Sequence, residues 1–380
     1  MKTRRIGEFS EIVSKGTTPT SVGLSFSNAG IPFLRGEDVL GTFINFNSVK
    51  MFIDDHTHAA LSRSSLKFGD VLVTIAGTIG RIGFIDEMER QANCNQAVAF
   101  IRMPPNCIDP LWLCLLLSSP IYQAKIAAFV VGGAIPNISL EQIRSIEIPD
   151  LPISEQRRIA ARFKAQLDEV KKVHMALTVQ SYETDKLADA IVFDSIRRSW
   201  AKSYFLGDAV DEIKRGIGDG WTSFPVWGAT RDGLAPAKEL PGKKPERYKP
   251  AFPGTVFYNP MRILIGSIAF VDEDDKPGIT SPDYVALTGK EGVVDSRWFY
   301  FWLRSPLGKQ CITSLARGAV RERMLFNRLA EGKIDLPDYK LQQTASKVLA
   351  ELKHLRKAIE MKMNEINILP AKILASSFEM

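Results

Sequence analysis

Four cations and a phenol crowd the short stretch Lys243, Lys244, Arg247, Tyr248 and Lys249. Ammonium and guanidinium groups at that density suit phosphate oxygens or the acceptor edge of guanine, and the ring among them can pack on a sugar or base. The same composition also fits an exposed, solvated loop. Other cations are spread along the chain: Lys15 close to Thr17, then Arg35 and Arg81 in the first half, and Lys214, Arg215, Arg231, Arg262, Arg317, Arg321 and Arg323 in the second. Each is a candidate contact to an anionic polymer, although an isolated surface arginine is as readily solvated.

The residues that would make the chain an enzyme are sparser. No Gly-x-x-x-x-Gly-Lys-Ser/Thr cradle occurs, which argues against ATP hydrolysis. Gly77, Gly80 and Gly83 are wrongly spaced for a dinucleotide loop, and Gly216, Gly218 and Gly220 lack a strand-to-helix setting. Asn259-Pro260-Met261-Arg262 approaches the Asn-Pro-Pro-aromatic motif of amino-methyltransferases, but it lacks the second proline and the aromatic that would stack a flipped base. Asp272-Glu273-Asp274-Asp275-Lys276 could pass for a nuclease metal cluster; it reads better as a solvated acidic turn between strands. His56, His58, His174 and His354 form no ligand set with the cysteines, and the last two fall on the surface or seam of long helices. The expectation is no metal site and no catalytic residue.

Composition agrees with a folded chain. Of 380 residues, 45% are hydrophobic and 24% charged, and the length suits two domains. A net charge of +6 permits an anionic partner without demanding one. Cys94, Cys107, Cys114 and Cys311 show neither a CxxC pair nor dense framework spacing, and Met1 to Phe9 precede no apolar run, so the expected compartment is the reducing cytoplasm. The most apolar segment, Ile108 to Val131, is broken by Ser118, Ser119, Pro120, Gln123 and Lys125, and is expected to form two short buried helices.

The chain repeats itself. Ile6-Gly7-Glu8 with Lys15-Gly16 recurs as Leu206-Gly207-Asp208 with Arg215-Gly216, and Ile79-Gly80-Arg81-Ile82-Gly83-Phe84 as Ile265-Gly266-Ser267-Ile268-Ala269-Phe270. Asp109-Pro110-Leu111-Trp112 and Ser119-Pro120 recur as Asp295-Ser296-Arg297-Trp298 and Ser305-Pro306, and Gly133-Ala134-Ile135 as Gly318-Ala319-Val320. Ordered coincidence at an offset of about half the chain means duplication of a whole domain. Each copy opens with strands punctuated by glycine, around Val71-Leu72-Val73-Thr74-Ile75 and Val256-Phe257-Tyr258, and continues with helices at Trp112 and Trp298, an α+β mixture.

Each copy closes on a long charged helix. Apolar residues recur at three and four in Ile159, Phe163, Leu167, Val170, Val173, Leu177, then Leu187 and Ile191, and again in Val348, Leu352, Leu355, Ile359, Met363, Ile366, Leu369 and Ile373. Runs of this length would extend roughly 60 Å. A stripe that long calls for a partner helix, and a two-fold relation between the repeats would lay the two antiparallel, burying Ile159, Phe163, Val170, Leu177, Leu352, Leu355, Ile359 and Ile366. Arg157, Arg158, Lys171, Lys172, Lys353 and Lys357 read as docking and solubility residues, and Pro370 as a bend or fray in the last turns.

Ile148-Pro149-Asp150-Leu151-Pro152-Ile153-Ser154-Glu155-Gln156-Arg157-Arg158-Ile159 resembles the helix entry of the specificity subunits of type I restriction-modification systems. Lys15-Gly16-Thr17-Thr18-Pro19, Asn95-Gln96-Ala97-Val98, Phe224-Pro225-Val226-Trp227-Gly228-Ala229, Ser281-Pro282-Asp283-Tyr284-Val285 and Arg317-Gly318-Ala319-Val320-Arg321-Glu322-Arg323 resemble recurring motifs of that family's target-recognition domains. The second helix entry departs from the pattern: Leu336-Pro337-Asp338-Tyr339-Lys340-Leu341-Gln342-Gln343 lacks the second proline and reads as carrying Gln where Glu is usual. The resemblance implies target-recognition domains at 1–150 and 200–337, spacer helices at 151–199 and 338–380, and recognition of a bipartite double-stranded DNA target. It further implies a non-catalytic chain that docks two modification subunits and the restriction subunits, with S-adenosylmethionine, ATP and Mg belonging to those partners. Two rivals differ in class: a stand-alone DNA methyltransferase, and a coiled-coil scaffold without sequence readout.

Overall fold

The structure is a computed structural model in which residues 2–86, 91–130, 136–239, 241–316 and 323–378 are described. The chain divides into two compact units, Met1–His174 with Glu365–Met380, and Met175–Asn364. Six helices recur below: α1 (Pro110–Ser118), α2 (Pro120–Ala128), α3 (Ile153–Arg197), α4 (Ser296–Arg304), α5 (Pro306–Leu315) and α6 (Tyr339–Ser377).

In the first unit an antiparallel sheet runs Ile12–Lys15, Val98–Arg102, Val71–Thr74, Ile82–Phe84 across its width. A second sheet runs Phe52–Ile53, Ile31–Leu34, Ala92–Cys94, Ser65–Leu66, and its central pair is parallel. Thr3–Arg5 pairs with Glu147–Pro149 and ties the start of the unit to the entry of α3. The strand Val71–Thr74 is buried along its whole length, as expected of a run without polar alternation.

The second unit repeats this plan. One sheet runs Val210–Glu212, Val285–Gly289, Val256–Tyr258, Ile268–Phe270. The other runs Gly233–Pro236, Val226–Thr230, Gly278–Thr280, Lys249–Ala251, again with a parallel central pair, and Lys202–Phe205 pairs with Lys333–Leu336. Gly80 and Gly266 open the equivalent strands at φ +87° and +86°, a left-handed conformation that a side chain would strain. The duplication and the mixed α+β class expected from the repeats are both present.

The same caps start the equivalent helices. Asp109 accepts the Trp112 N–H at 2.8 Å and Asp295 the Trp298 N–H at 2.9 Å, each stabilising its helix by about 1 kcal/mol. Trp112 and Trp298 are fully buried against their sheets. Ile108 to Val131 contributes α1 and α2, with a 72° bend where Pro120 starts the second helix. No single described helix is long and apolar enough to cross a membrane.

The long helices are continuous over 45 residues in α3 and 39 in α6, which carries Pro370 inside it. Within the second unit they run antiparallel: Arg356 of α6 pairs with Asp185 of α3, and Ile359, Glu360, Met363 and Asn364 face Thr178, Ser181, Tyr182 and Asp185. Ala188 and Val192 share a core with Ala345, Leu349 and Leu352. Within the first unit Phe163 and Leu167 pack with Leu115, and Ile373, Leu374 and Phe378 of the chain's end cover them.

The buried stripe differs in places from the one read in the sequence. In α3 it passes through Phe163, Leu167, Leu177, Thr184, Ala188 and Val192, while Val173 and Leu187 are 44% and 49% exposed. In α6 it passes through Ala345, Leu349, Leu352 and Ile359; Val348 and Leu355 lie outside. At Leu355 the stripe steps to Arg356, which is partly buried while its guanidinium meets Asp185. Ile159, Val170 and Ile366 are half-buried.

Candidate nucleic-acid interface

In the second unit the folding of two loops gathers several of the candidate cations. Lys214 and Arg215 are exposed just beyond strand Val210–Glu212, with the Lys214 ammonium 3.6 Å from Glu212. Gly216 lies so close to the turn Pro245–Arg247 that a Cβ would stand 2.5 Å from the Glu246 carbonyl oxygen and 2.8 Å from Arg247 Cα. The Ile217 N–H donates to the Tyr248 carbonyl at 2.7 Å. This contact draws Arg215 towards Arg247 and Tyr248, with Lys243 and Lys244 exposed on the same loop. No ion pair among the described residues engages Lys243, Lys244, Arg247 or Arg215. The Tyr248 hydroxyl accepts the Gly242 N–H at 3.1 Å, so the ring stiffens the loop and is half-buried.

Lys249 leaves the set read in the sequence. It is 9% exposed and donates to the Tyr284 carbonyl at 2.7 Å, and burial lowers its pKa. Its strand, Lys249–Ala251, pairs into the sheet and turns that side chain inward. Arg323 is exposed and stands 3.7 Å from Asp283. Arg262 is exposed on a turn, and Arg231 at the tip of the hairpin Val226–Thr230 to Gly233–Pro236. Arg317 and Arg321 lie outside the described residues, as does the repeated Gly133-Ala134-Ile135 and Gly318-Ala319-Val320.

In the first unit Lys15 ends its strand opposite Ala99 and is exposed; Thr17 is half-buried and its N–H donates to the Cys94 carbonyl at 3.1 Å. Arg35 and Arg81 approach the same backbone. The Arg81 guanidinium donates to the Gly36 carbonyl at 3.4 Å, while Arg35 pairs with Glu37 and keeps a buried Nε without a hydrogen-bond partner. In the second unit Ser267, which matches Arg81 in the repeat, donates to the Ala229 carbonyl at 2.7 Å. Arg81 therefore braces the loop after Ile31–Leu34, a task a hydroxyl performs in the other copy.

Sequence reading missed an ionic brace in the second unit. The acidic turn after Ile268–Phe270 is engaged by cations: Lys353 of α6 reaches Asp272, Asp274 and Asp275 at 3.5, 2.8 and 2.9 Å, and Arg297 of α4 pairs with Asp272 and stands 3.8 Å from Glu273. Burial pushes the Asp272 carboxyl up, but the Arg297 hydrogen bond, the Glu273 N–H and the Lys353 charge outweigh it and hold it below the usual carboxylate range. Asp272 is 4% exposed, which corrects the solvated turn at that residue while Glu273, Asp274 and Lys276 remain exposed, and Lys353 is a brace within the unit rather than a free docking residue. In the first unit Leu111, Leu115 and Leu167 make an apolar contact with Phe163 instead.

Gln156 and Gln342 also went unread. Gln156 Oε1 accepts the Asp109 N–H at 2.9 Å and its amide donates to the Leu151 carbonyl at 2.8 Å. Gln342 does the same with Asp295 and Pro337, at 2.9 and 2.8 Å. Both contacts span 47 residues. They set the register of the second helix entry and correct its sequence reading: Gln342 matches Gln156, so Leu341 stands where the first copy has Glu155. Among the described residues no group of three or more His, Cys, Asp or Glu is placed to hold a metal ion.

Residues 1–174 match the family described as the type I restriction modification DNA specificity domain. The specificity subunit of the type I restriction enzyme EcoBI from Escherichia coli is 30% identical over 146 residues, 38% of this chain and 30% of that protein, so the chain spans about a third of the length of that relative. Among solved structures, a chain from a study of type I R-M complex assembly and conformational transition is similar over 99% of this chain and 97% of its own, with a TM-score of 0.64 at 18% identity. The HsdS subunit from Thermoanaerobacter tengcongensis matches over 99% and 96% at a TM-score of 0.53 and 18% identity, and the S subunit from M. genitalium over 100% and 96% at 0.51 and 16%. The solved structures carry the fold over the whole chain and the sequence match carries the first unit. Together they show a match to the type I restriction modification DNA specificity domain over residues 1–174 and, over the whole chain, a fold similar to that of solved specificity subunits.

Proposed function

We propose that the chain is the DNA-reading, non-catalytic subunit of a type I restriction-modification complex, each unit recognising one half of a bipartite duplex target. The observation that carries this reading is the duplicated sheet plan with exposed cations at matching strand ends, Lys15 closing one outer strand and Lys214 with Arg215 just beyond the other. Phosphate contacts from such residues position a protein, while side chains reaching base edges give it sequence preference. Two readers on stiff helices can address half-sites about one helical turn, roughly 34 Å, apart.

Methyl transfer, translocation and cleavage belong on this reading to two modification subunits and to restriction subunits, which hold S-adenosylmethionine, ATP and Mg. The exposed cations Arg157, Arg158, Lys171, Lys172 and Lys357 of the long helices, together with exposed Met175, Val179 and Tyr182, offer surface for docking. The complex would work in the cytoplasm, where its DNA is. The test is methylation profiling of DNA from cells carrying this chain with its modification subunit. A split adenine motif supports the reading; methyl transfer by the purified chain alone, or no sequence preference at all, rejects it.

A further inference from the structure

A cavity of about 430 Å³ opens in the second unit beside the gathered cations, lined by Glu212, Lys249, Asp283, Tyr284, Phe326 and Asn327 among others. That volume is in the range of small-ligand sites. Lys249 is nine-tenths buried, and the hydrogen bonds of the described residues place one of its three N–H donors, on the Tyr284 carbonyl. A buried ammonium with spare donors is under pressure to find acceptors. Glu212, with its side chain 16% exposed, brings carboxylate oxygens to the same space, its nearest cation being Lys214 at 3.6 Å. Tyr284, stacked on Phe257, and Phe326 supply apolar wall. Arg323 at the rim is already paired with Asp283.

Charges of both signs in one small lining disfavour a phosphate and favour a flat neutral ligand that both donates and accepts. We infer that this cavity takes one unstacked base of the bound duplex, an adenine or a cytosine, whose exocyclic amino group donates to Glu212 and whose ring or carbonyl acceptor meets Lys249. The inference rests on the DNA-reading assignment above and adds to it a means of discrimination. Thymine presents no amino group, so it would leave the Glu212 carboxylate shielded and unmatched. Extruding a base costs stacking and pairing energy, which these contacts offset.

The test uses the duplex that a randomised pool yields with the full chain. Each adenine of the block read by the second unit is replaced in turn by 8-vinyladenine and each cytosine by pyrrolocytosine, fluorophores that keep the amino donor and brighten when unstacked. One position should brighten several-fold on binding. Glu212→Gln and Lys249→Met should each abolish that rise and weaken binding roughly tenfold, while the exposed Glu246→Gln should change neither. Should Lys249→Met fail to fold, Lys249→Arg and Glu212→Gln decide. Tight binding with no brightening position, or brightening that survives both variants, overturns the cavity assignment and leaves DNA reading intact. Failure to bind any duplex rejects the DNA reading itself.

Discussion

Gln342 Oε1 accepts the backbone N–H of Asp295 at 2.9 Å, and through that contact the first turn of α6 is fastened to the cap of α4. The same amide also donates to the carbonyls of Val293 and Pro337, at 3.0 and 2.8 Å, and the residue is fully buried. Replacing Gln342 by Ala leaves these groups unpaired, and should lower stability by about 1–3 kcal/mol in urea unfolding. The neighbouring exposed Gln343→Ala should change it by less than about 0.5 kcal/mol.

The ionic brace predicts a pH signature. Asp272 is held below its ordinary pKa, so the unfolded chain binds the proton more readily than the folded one. Its contribution should be complete above roughly pH 4, the ordinary carboxylate value, and should fade as pH drops through the folded pKa. The stability difference between the parent and Asp272→Asn, measured by urea unfolding, should therefore shrink below that pH. A difference that stays constant contradicts the brace.

The stripe on α6 separates two adjacent leucine positions. Leu352→Asp puts a charge in the core shared with Ala188 and Val192 and should cost several kcal/mol, whereas Leu355→Asp, at a position 41% exposed, should leave the melting temperature nearly unchanged. Equal effects would mean that the seam does not step to Arg356.

The gathered cations should appear in the salt dependence of DNA binding. Lys243→Ala, Lys244→Ala and Arg247→Ala combined should flatten the slope of log K against log salt by up to about 3, near 0.9 for each phosphate no longer neutralised. The weakening should fall on one half-site. An unchanged slope removes this loop from the interface.

Much of the fold was legible because it is local or repeated. The polar break at Ser118, Ser119 and Pro120 marked two short helices, the apolar period of three and four marked α3 and α6, and ordered repetition showed two copies of one domain. What the sequence hid depends on distant partners. The run Asp272 to Asp275 looks solvated until Lys353 and Arg297 arrive from elements far along the chain, and Lys249 looks like its basic neighbours until strand pairing turns it inward. A seam displaced by one residue, as at Leu355 and Arg356, is equally hidden, because a long cation can occupy a seam position that periodicity assigns to an apolar residue.

The central claim, two duplicated readers in one chain, is tested most directly by selecting duplexes from a randomised pool with the parent chain in its complex, then with Lys15→Ala and with the Lys243, Lys244 and Arg247 triple variant. The account predicts two enriched blocks separated by unselected positions, with the first variant relaxing one block and the second relaxing the other. A single continuous block, or both variants relaxing the same block, contradicts it.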